Sequence, residues 1–222
     1  MINDPVSRSE RVLLIVNSLS EHGDRRFRWL YQFTETAGVG IARRFLGKHY
    51  RFIHVLKDRN ASRSKFLSSL DQIFRDIRVN TLDLFIQLHG EPGRIRFYDQ
   101  WISSNHLGRE ITRISSTGCL RLVYNLSCYG DSHSAAFLRS GFNASVGAFK
   151  VNASAATEYP RFCRLWPKTG IYSRSKLVLS DVVRRSDSPF SRNTQDRIVR
   201  RYFRDVDSIK RIRGNSNLTI NT

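Results

Sequence analysis

The chain has 222 residues, 40% of them hydrophobic, and its 37 Lys and Arg outnumber 19 Asp and Glu to give a net charge of +18. That length is enough for one domain with a sizeable core. No apolar run approaches the roughly 18 residues of a membrane span, and residues 1–11 lack the apolar stretch of a secretory signal, so we expect a soluble, cytoplasmic protein. Three irregularly spaced cysteines argue against a disulfide scaffold or a zinc ribbon.

Apolar runs and helical periodicities alternate through the first half of the chain. An unbroken apolar run closed by polar residues is typical of a strand buried on both faces, and apolar residues three and four apart are typical of a helix. In chain order we predict a strand at 11–17, a helix at 29–46 interrupted by Gly38 and Gly40, a strand at 50–56, a helix at 62–77 and a strand at 82–88 that ends at His89-Gly90.

The second half continues this alternation and ends in a basic segment. We predict a hairpin at 94–101, a helix at 105–115, a strand at 121–126, a helix at 134–140, a strand at 144–149, a helix at 154–166 kinked or broken at Pro160, an ambiguous strand or helix at 176–183, a basic helix at 193–212 and a last strand at 218–220. Strands that alternate with helices at this spacing imply right-handed crossovers, and therefore an α/β sandwich with a mostly parallel sheet.

Two of the predicted strands end in reactive residues. The third strand runs into His89-Gly90, and the fourth runs into Ser127-Cys128. Active sites of open parallel sheets form at the carboxyl ends of strands, and the tips of two adjacent strands lie about 5 Å apart. An imidazole there could accept the thiol proton and later protonate a leaving amine. The N–H groups of Gly90 and Cys128 could stabilise an oxyanion.

Each of these two residues also has a simpler explanation. A cysteine at a strand end is more often a small buried hydrophobe than a nucleophile, and a histidine before glycine is more often a turn residue. Their occurrence together, at the tips of consecutive long strands, favours chemistry. The remaining cysteines and several histidines lack such a setting, and we interpret them as structural or surface residues: Cys119, Cys163, His54, His106 and His133.

Other kinds of site are less consistent with the sequence. No His, Cys and Asp cluster has the spacing of metal ligands, so no metal site is predicted. Gly38-Val39-Gly40 follows helical residues rather than a strand and lacks the Gly-Lys-Ser/Thr of a phosphate loop. Ser127 is not flanked by a Gly-x-Ser-x-Gly elbow.

The segments "LDLFIQLHGEPG" (82–93) and "LRLVYNLSCYGDSHSAAFLRSGFNASVGAFKVNASAA" (120–156) resemble the caspase-like cysteine peptidases of clan CD, in particular the bacterial CHAT-type relatives. In that group one apolar strand ends in His-Gly, and another ends in a small residue followed by the nucleophilic cysteine. The resemblance covers roughly 10–166, and "GNSNLTI" (214–220) more loosely. It implies a caspase-like three-layer sandwich, with a mostly parallel central sheet and helices on both faces. We expect one peptidase domain over 1–222, with its core at 10–166, a basic helical segment at 167–213 and a possible closing strand at 217–221.

The resemblance also implies a role for each site residue. His89 would be the general base and Cys128 the nucleophile, and the backbone N–H groups of Gly90 and Cys128 would form the oxyanion hole. No cofactor is implied. The loop at 150–154 occupies the family's substrate-lining position, which makes Asn152 and Ser154 candidates for substrate binding.

The sequence leaves open which substrate side chain is preferred next to the cleaved bond. Caspases proper use arginines to bind aspartate, whereas relatives specific for basic residues use an acid, for which Asp131, Glu158, Asp99 or Glu91 could serve. Leu126 stands where basic-specific metacaspases carry aspartate, which argues against a metacaspase-type specificity.

The predicted function is a cysteine endopeptidase that forms a thioacyl-enzyme on a peptide or protein substrate, with a regulatory protein as a possible partner. Two alternatives remain: a catalytically silent interaction module of the same fold, and a basic nucleic-acid-binding α/β domain. Residues 161–213 carry fifteen Lys or Arg against five Asp. Such a segment can bind nucleic acid or another anionic surface, or it can be a solvated surface.

Overall fold

The computed structural model describes residues 6–76, 78–115, 119–170 and 175–222. Its strands are β1 (Arg11–Ser18), β2 (Phe52–Lys57), β3 (Thr81–Glu91), β4 (Arg94–Arg96), β5 (Trp101–Ser103), β6 (Leu120–Asn125), β7 (Ala144–Ala148) and β8 (Lys210–Gly214). Its α-helices are α1 (Arg28–Leu46), α2 (Arg63–Arg75), α3 (Ser104–Ile114), α4 (Gly130–Arg139), α5 (Ala155–Leu165), α6 (Leu179–Ser186) and α7 (Pro189–Val199).

The strands form one mixed sheet in the order β2-β1-β3-β6-β7-β8. The first five strands of this order pair in parallel, and β8 closes the edge antiparallel to β7. The short hairpin β4-β5 pairs with the far end of β3, beyond the main sheet. The predicted α/β architecture with a mostly parallel sheet is therefore confirmed.

Each face of the sheet is covered by helices, because alternate side chains of the buried strands point to opposite faces. On one face, Val12, Leu14 and Val16 of β1 join a core with apolar residues of α2, α3 and α4. On the other face, Leu13 and Ile15 join a core with residues of α1, α5 and α6. Two apolar cores on either side of one sheet make the three-layer sandwich.

Two helices continue through residues that we expected to interrupt them. α1 passes through Gly38 and Gly40 without a break. A Cβ at Gly38 would lie 2.8 Å from the Gln87 side-chain oxygen, so the glycine allows α1 to lie close against β3. α5 contains Pro160, and the burial of its apolar face, including Phe162 and Cys163, outweighs the one helical hydrogen bond that proline removes.

The C-terminal third departs most from the sequence prediction. The expected basic helix at 193–212 is correct only over its first part: α7 covers Pro189–Val199, and the end of the segment forms β8 at Lys210–Gly214. The expected closing strand at 217–221 is wrong, since the sheet closes earlier, at β8, while Leu218 and Ile220 are buried in the core without strand pairing. The ambiguous segment at 176–183 contributes to helix α6.

Smaller differences concern element ends. The predicted helix at 62–77 ends at Arg75, and Ile77 lies outside the described residues. β3 does not stop at Leu88 but continues through Glu91, because His89, Gly90 and Glu91 pair with β4. In the described part of the chain, none of the helices has the length and apolar character needed to cross a membrane.

Candidate active site

The tips of β3 and β6 lie side by side, as the sequence predicted. In the parallel register Ile86 pairs with Asn125, and the N–H of Leu126 donates to the Ile86 carbonyl at 2.9 Å. His89 and Cys128 each follow this last pair by three residues. Both are half-buried at the carboxyl edge of the sheet, where active sites of such folds form.

Gly90 is in direct contact with the cysteine segment. A Cβ at this position would lie 2.3 Å from the Cys128 carbonyl oxygen and 2.8 Å from the Ser127 Cβ. No side chain could occupy that space, so glycine is required for the two strand tips to meet. This contact within the protein accounts for the glycine without any substrate.

The chain turns sharply immediately after Cys128. Tyr129 has φ 55° and ψ 28°, a left-handed conformation that is uncommon for residues other than glycine. Its N–H donates to the Lys150 carbonyl at 2.8 Å, and its hydroxyl donates to Asp205 at 3.1 Å. Backbone strain of this kind persists where surrounding contacts hold it, and here it redirects the chain from β6 into α4 directly after Cys128.

The His89 ring is oriented by a backbone carbonyl. Its Nε2 lies 2.6 Å from the oxygen of Leu19, which follows β1. A carbonyl can only accept, so Nε2 carries the hydrogen and Nδ1 retains the lone pair of a base. The edge of the Tyr31 ring packs against the imidazole, with ring centroids 5.1 Å apart. Burial lowers the pKa of His89 from its ordinary value, and the hydrogen bond to Leu19 partly opposes this effect.

The Cys128 thiol has a backbone donor nearby. The N–H of Asn152 lies 3.5 Å from Sγ. Burial raises the pKa of Cys128, and the Asn152 N–H and the positive charge of Lys210 act in the opposite direction. With the imidazole pKa lowered and the thiol pKa raised, the resting pair is neutral, and the thiol needs a base to become a nucleophile.

A buried network lies behind Asn152. Lys210, whose side chain is 2% exposed, forms an ion pair with Glu158 at 2.9 Å and donates to the Asn152 side-chain oxygen at 2.9 Å. The Asn152 amide in turn donates to the Leu126 carbonyl at 2.9 Å. Glu158 also accepts a hydrogen bond from the hydroxyl of Tyr124. These contacts fix the loop whose N–H faces the sulfur.

Burial changes the interpretation of three predicted substrate contacts. Glu158 is 3% exposed and paired with Lys210, so its charge is not free to bind a substrate. Ser154 is equally buried, and its N–H donates to the Ser208 hydroxyl at 3.2 Å. The Asp131 carboxylate is occupied by Arg213, which donates to it at 2.8 and 3.0 Å. Of the four candidates, Asn152 is the one in contact with Cys128.

His133 is not the surface residue that its position at a helix start suggested. It is fully buried, its Nε2 lies 2.8 Å from the Glu91 carbonyl, and its Nδ1 accepts from the Asn125 amide at 3.0 Å. It therefore connects the end of β6, through α4, to the end of β3. The neighbours of His133 in the sequence, Ser132 and Ser134, gave no signal for this role, which depends on segments that folding brings together.

The other two cysteines are buried within the cores. Burial raises the pKa of Cys119 to about 11, and it raises the pKa of Cys163 further. Both are therefore thiols at neutral pH, which agrees with their interpretation as structural residues. Among residues 6–76, 78–115, 119–170 and 175–222, no group of three or more His, Cys, Asp or Glu side chains could hold a metal ion.

Comparison with known proteins gives distant similarity to solved structures and no match in sequence. No family model matches the chain, and no curated protein matches it. Among solved structures, the chain is similar to a secreted C11 cysteine protease from Bacteroides thetaiotaomicron in complex with an irreversible peptide inhibitor, with a TM-score of 0.47 and 10% identity. The match covers 79% of this chain and 56% of that protease, so the chain spans little more than half of its length. A likeness of this size carries no argument about function, and the candidate site rests on its own geometry.

Proposed function

We propose that the protein is a cysteine endopeptidase in which Cys128 is the nucleophile and His89 the general base. The observation that carries this proposal is the meeting of the two strand tips, with the His89 hydrogen committed to Leu19 and the Cys128 sulfur facing the Asn152 N–H. This arrangement leaves the imidazole a free lone pair at the same edge of the sheet as the half-buried Cys128 thiol. The resemblance to caspase-like peptidases supports the same pairing and a single peptidase domain.

The reaction follows from these protonation states. Nδ1 of His89 takes the proton from the thiol, and the sulfur attacks the carbonyl carbon of the cleaved bond. Backbone N–H groups of Gly90 and Cys128 would stabilise the oxyanion of the tetrahedral intermediate. As this intermediate collapses, the imidazolium gives its proton to the leaving amine, which departs and leaves a thioester. Water, deprotonated by His89, then attacks the thioester, which releases a carboxylic acid and restores the thiol.

The test is covalent labelling combined with cleavage of a mixed peptide library. A peptide carrying an acyloxymethyl ketone should label Cys128 in the wild-type protein, whereas Cys128→Ala should abolish both labelling and cleavage. Cys119→Ser is the matched control and should leave labelling at Cys128. Undiminished labelling in Cys128→Ala would contradict the proposal. Labelling without any peptide cleavage would favour the catalytically silent interaction module instead.

We also propose a second function, the binding of single-stranded nucleic acid, at a surface that combines part of the expected basic segment with the start of α1. Part of the charge in 161–213 is already paired: Lys210 with Glu158, Arg192 with Asp187, and Arg211 and Arg213 with Asp131. Other arginines of this segment lie on and after α7, next to further arginines near the start of α1. The arginine–aromatic surface comprises Arg25, Arg26, Arg28, Trp29 and Phe33 near the start of α1, and Phe190, Arg197, Ile198, Arg201, Tyr202 and Arg204 on and after α7.

Contacts between rings join the two parts of this surface. Phe27 packs edge-on against Tyr202, with centroids 5.1 Å apart, and the Arg26 guanidinium lies 5.7 Å from the Tyr202 centroid. Trp29 and Phe190 are 69% and 85% exposed, so their rings are accessible for stacking. Within 24–33 and 189–204 the acids are Asp24, which is paired with Arg26, and Asp196, which is buried. The surface therefore keeps its positive charge.

The side chains favour nucleic acid over a lipid bilayer. Every cation of the arginine–aromatic surface is arginine, which binds phosphate through two parallel hydrogen bonds, and four of the five exposed apolar groups are aromatic rings on which bases can stack. The exposed Phe190 and Ile198 of α7 lie two turns apart with Thr194 between them. They do not form the continuous apolar face that a helix needs to enter a membrane.

Anisotropy of a labelled oligothymidylate, measured across a salt series, tests this second function. The double variant Arg197→Gln, Arg201→Gln should weaken binding about tenfold at low salt and reduce the salt slope. Arg109→Gln, Arg113→Gln on α3 removes the same charge from exposed positions on the opposite face and should weaken binding less. Binding that is independent of salt, equal losses in both double variants, or binding to anionic vesicles without binding to the oligonucleotide would each contradict the proposal.

A further inference from the structure

Glu35 is a buried carboxylate for which the proposed reaction gives no role. It lies on α1 and is 2% exposed. Its side chain accepts hydrogen bonds from the Leu19 N–H, from the Ser20 N–H at 2.9 Å and from the Ser20 hydroxyl at 2.7 Å. Buried carboxylates are usually paired with a cation, but among the described residues no Lys or Arg forms an ion pair with Glu35. Within the part of the chain that the structure describes, its side-chain partners belong to the segment that follows β1.

That segment also holds His89. The Ser20 N–H and the Leu19 carbonyl are the two ends of one trans peptide group, and in such a group they point in opposite directions. The carboxylate of Glu35 accepts from one end of this peptide, and the Nε2–H of His89 donates to the other end. Carboxylate, peptide and imidazole therefore form one chain of hydrogen bonds, in which each bond polarises the next.

Other contacts hold Glu35 itself in place. The Asn17 amide donates to the Glu35 backbone carbonyl at 3.0 Å, which fixes α1 to the end of β1. One turn further along the helix, the close approach of Gly38 to Gln87 fixes α1 to β3. The part of α1 that carries Glu35 thus packs closely against the two strands whose tips carry Leu19 and His89.

We propose that Glu35 is a positioning residue of the Cys128–His89 pair. It holds the Leu19-Ser20 peptide as the acceptor that orients the imidazole, and through that peptide it stabilises the positive charge that His89 acquires on taking the thiol proton. This inference deepens the endopeptidase proposal and rests on it for the catalytic consequence. The hydrogen-bond chain from Glu35 to His89 can be tested without turnover.

The arrangement differs from one in which a carboxylate contacts the histidine directly. Inserting a peptide group moves the negative charge several ångströms further from the ring, so a unit charge there shifts the imidazole pKa by about one unit rather than several. The other titratable groups around His89 are Tyr31 on α1, His22 in the loop between β1 and α1, Arg96 on β4 and, at the adjacent strand tip, Cys128. Of the charges that act on His89, those of His22 and Arg96 lower its pKa, and that of Glu35 raises it.

The test is an NMR titration of the protein with ¹⁵N-labelled histidine. Glu35→Gln keeps an oxygen to accept from both N–H groups but removes the charge, and should lower the pKa of His89 by about one unit. Ser20→Ala removes the hydroxyl donor alone, keeps the charge and should leave that pKa within about 0.3 unit. In peptide cleavage, Glu35→Gln should lower kcat about tenfold with little change in KM, and should move the acid limb of the pH profile to lower pH.

Two results would overturn the inference. One is an unchanged pKa of His89 in Glu35→Gln. The other is a wild-type imidazole that carries its hydrogen on Nδ1, which needs no variant and so decides the matter even if Glu35→Gln fails to fold. An expected pKa shift with no peptide cleavage by the wild-type protein would instead refute the endopeptidase proposal while supporting the coupling of Glu35 to His89.

Discussion

The two ends of strands β3 and β6 bury titratable groups in opposite ways. Near the amino end, Asp83 accepts two hydrogen bonds from Arg121 at 2.9 and 2.7 Å, and both side chains are almost completely buried. At the carboxyl end, His89 and Cys128 have the neutral Leu19 carbonyl and Asn152 N–H as hydrogen-bonding partners. A buried charge locked in a pair cannot easily change its protonation, whereas a neutral base beside a neutral thiol can exchange a proton. The amino end therefore has the features of a structural ion pair, and the carboxyl end has those that the proposed proton transfer requires.

The largest expected effect comes from breaking the ion pair at the amino end. Asp83→Ala leaves Arg121 buried without its partner, and should lower the free energy of unfolding by about 3–5 kcal/mol in urea denaturation. Asp71→Ala removes the exposed pair with Arg75 and should cost less than about 0.5 kcal/mol. If the two variants lose similar stability, the pair does not have the structural role that its burial implies.

Gly90→Ala should disturb the packing between the carboxyl ends of β3 and β6. The added Cβ would lie 2.3 Å from the Cys128 carbonyl oxygen, so the strand tips must separate. We expect a loss of about 1–3 kcal/mol in stability, typical of overpacking, and a larger proportional loss of labelling at Cys128.

Gly40→Ala is the matched control for that substitution. Gly40 lies within α1, and a Cβ there has no neighbour within 4 Å. Alanine should therefore stabilise the helix by about 0.5–1 kcal/mol and leave labelling unchanged. Normal labelling in Gly90→Ala would show that the contact between the tips is not needed.

Replacing the buried Lys210 should change the pKa of the Cys128 thiol without affecting the ion pair at the amino end of the sheet. The Lys210 charge lowers the pKa of Cys128, so the double variant Lys210→Met, Glu158→Gln should raise that pKa and move alkylation by iodoacetamide to higher pH. The double substitution avoids leaving Glu158 as an unpaired buried charge. Lys150→Met, which removes a cation paired with Asp205, should have a smaller effect. Equal shifts in the pH dependence of alkylation in the two variants would mean that the net charge of the protein, and not the position of Lys210, causes the effect.

The smallest expected effect concerns the pH profile of peptide cleavage by the wild-type protein. Burial lowers the pKa of His89, so the base stays unprotonated, and kcat/KM stays high, until the pH falls below the ordinary histidine value of 6.5. Burial raises the pKa of Cys128 from its ordinary value, so the alkaline limb should lie at a higher pH than for an exposed thiol. A profile centred on acidic pH would indicate a resting thiolate–imidazolium pair instead.

The strands of the parallel sheet could be predicted because each is an apolar run buried on both faces. For the same reason His89 and Cys128 could be recognised at the tips of β3 and β6, and adjacency of those strands brings them together. β8 could not be predicted in this way. Its sequence, Lys210-Arg-Ile-Arg-Gly214, looks like part of a basic helix because the inward Lys210 is polar, and its burial depends on Glu158 and Asn152 from distant elements.

The sequence by itself determined the alternation of strands and helices and the two reactive tips, because hydrophobic periodicity is a local property of the chain. The tertiary structure decided what surrounds those tips. The Leu19 carbonyl is a backbone group with no signature in the sequence, and Glu35 and His133 act through partners that are brought near them by folding. Burial, which sets both pKa shifts, likewise exists only once the layers have packed. The local sequence therefore indicates which groups could react, whereas their protonation and orientation depend on the tertiary structure.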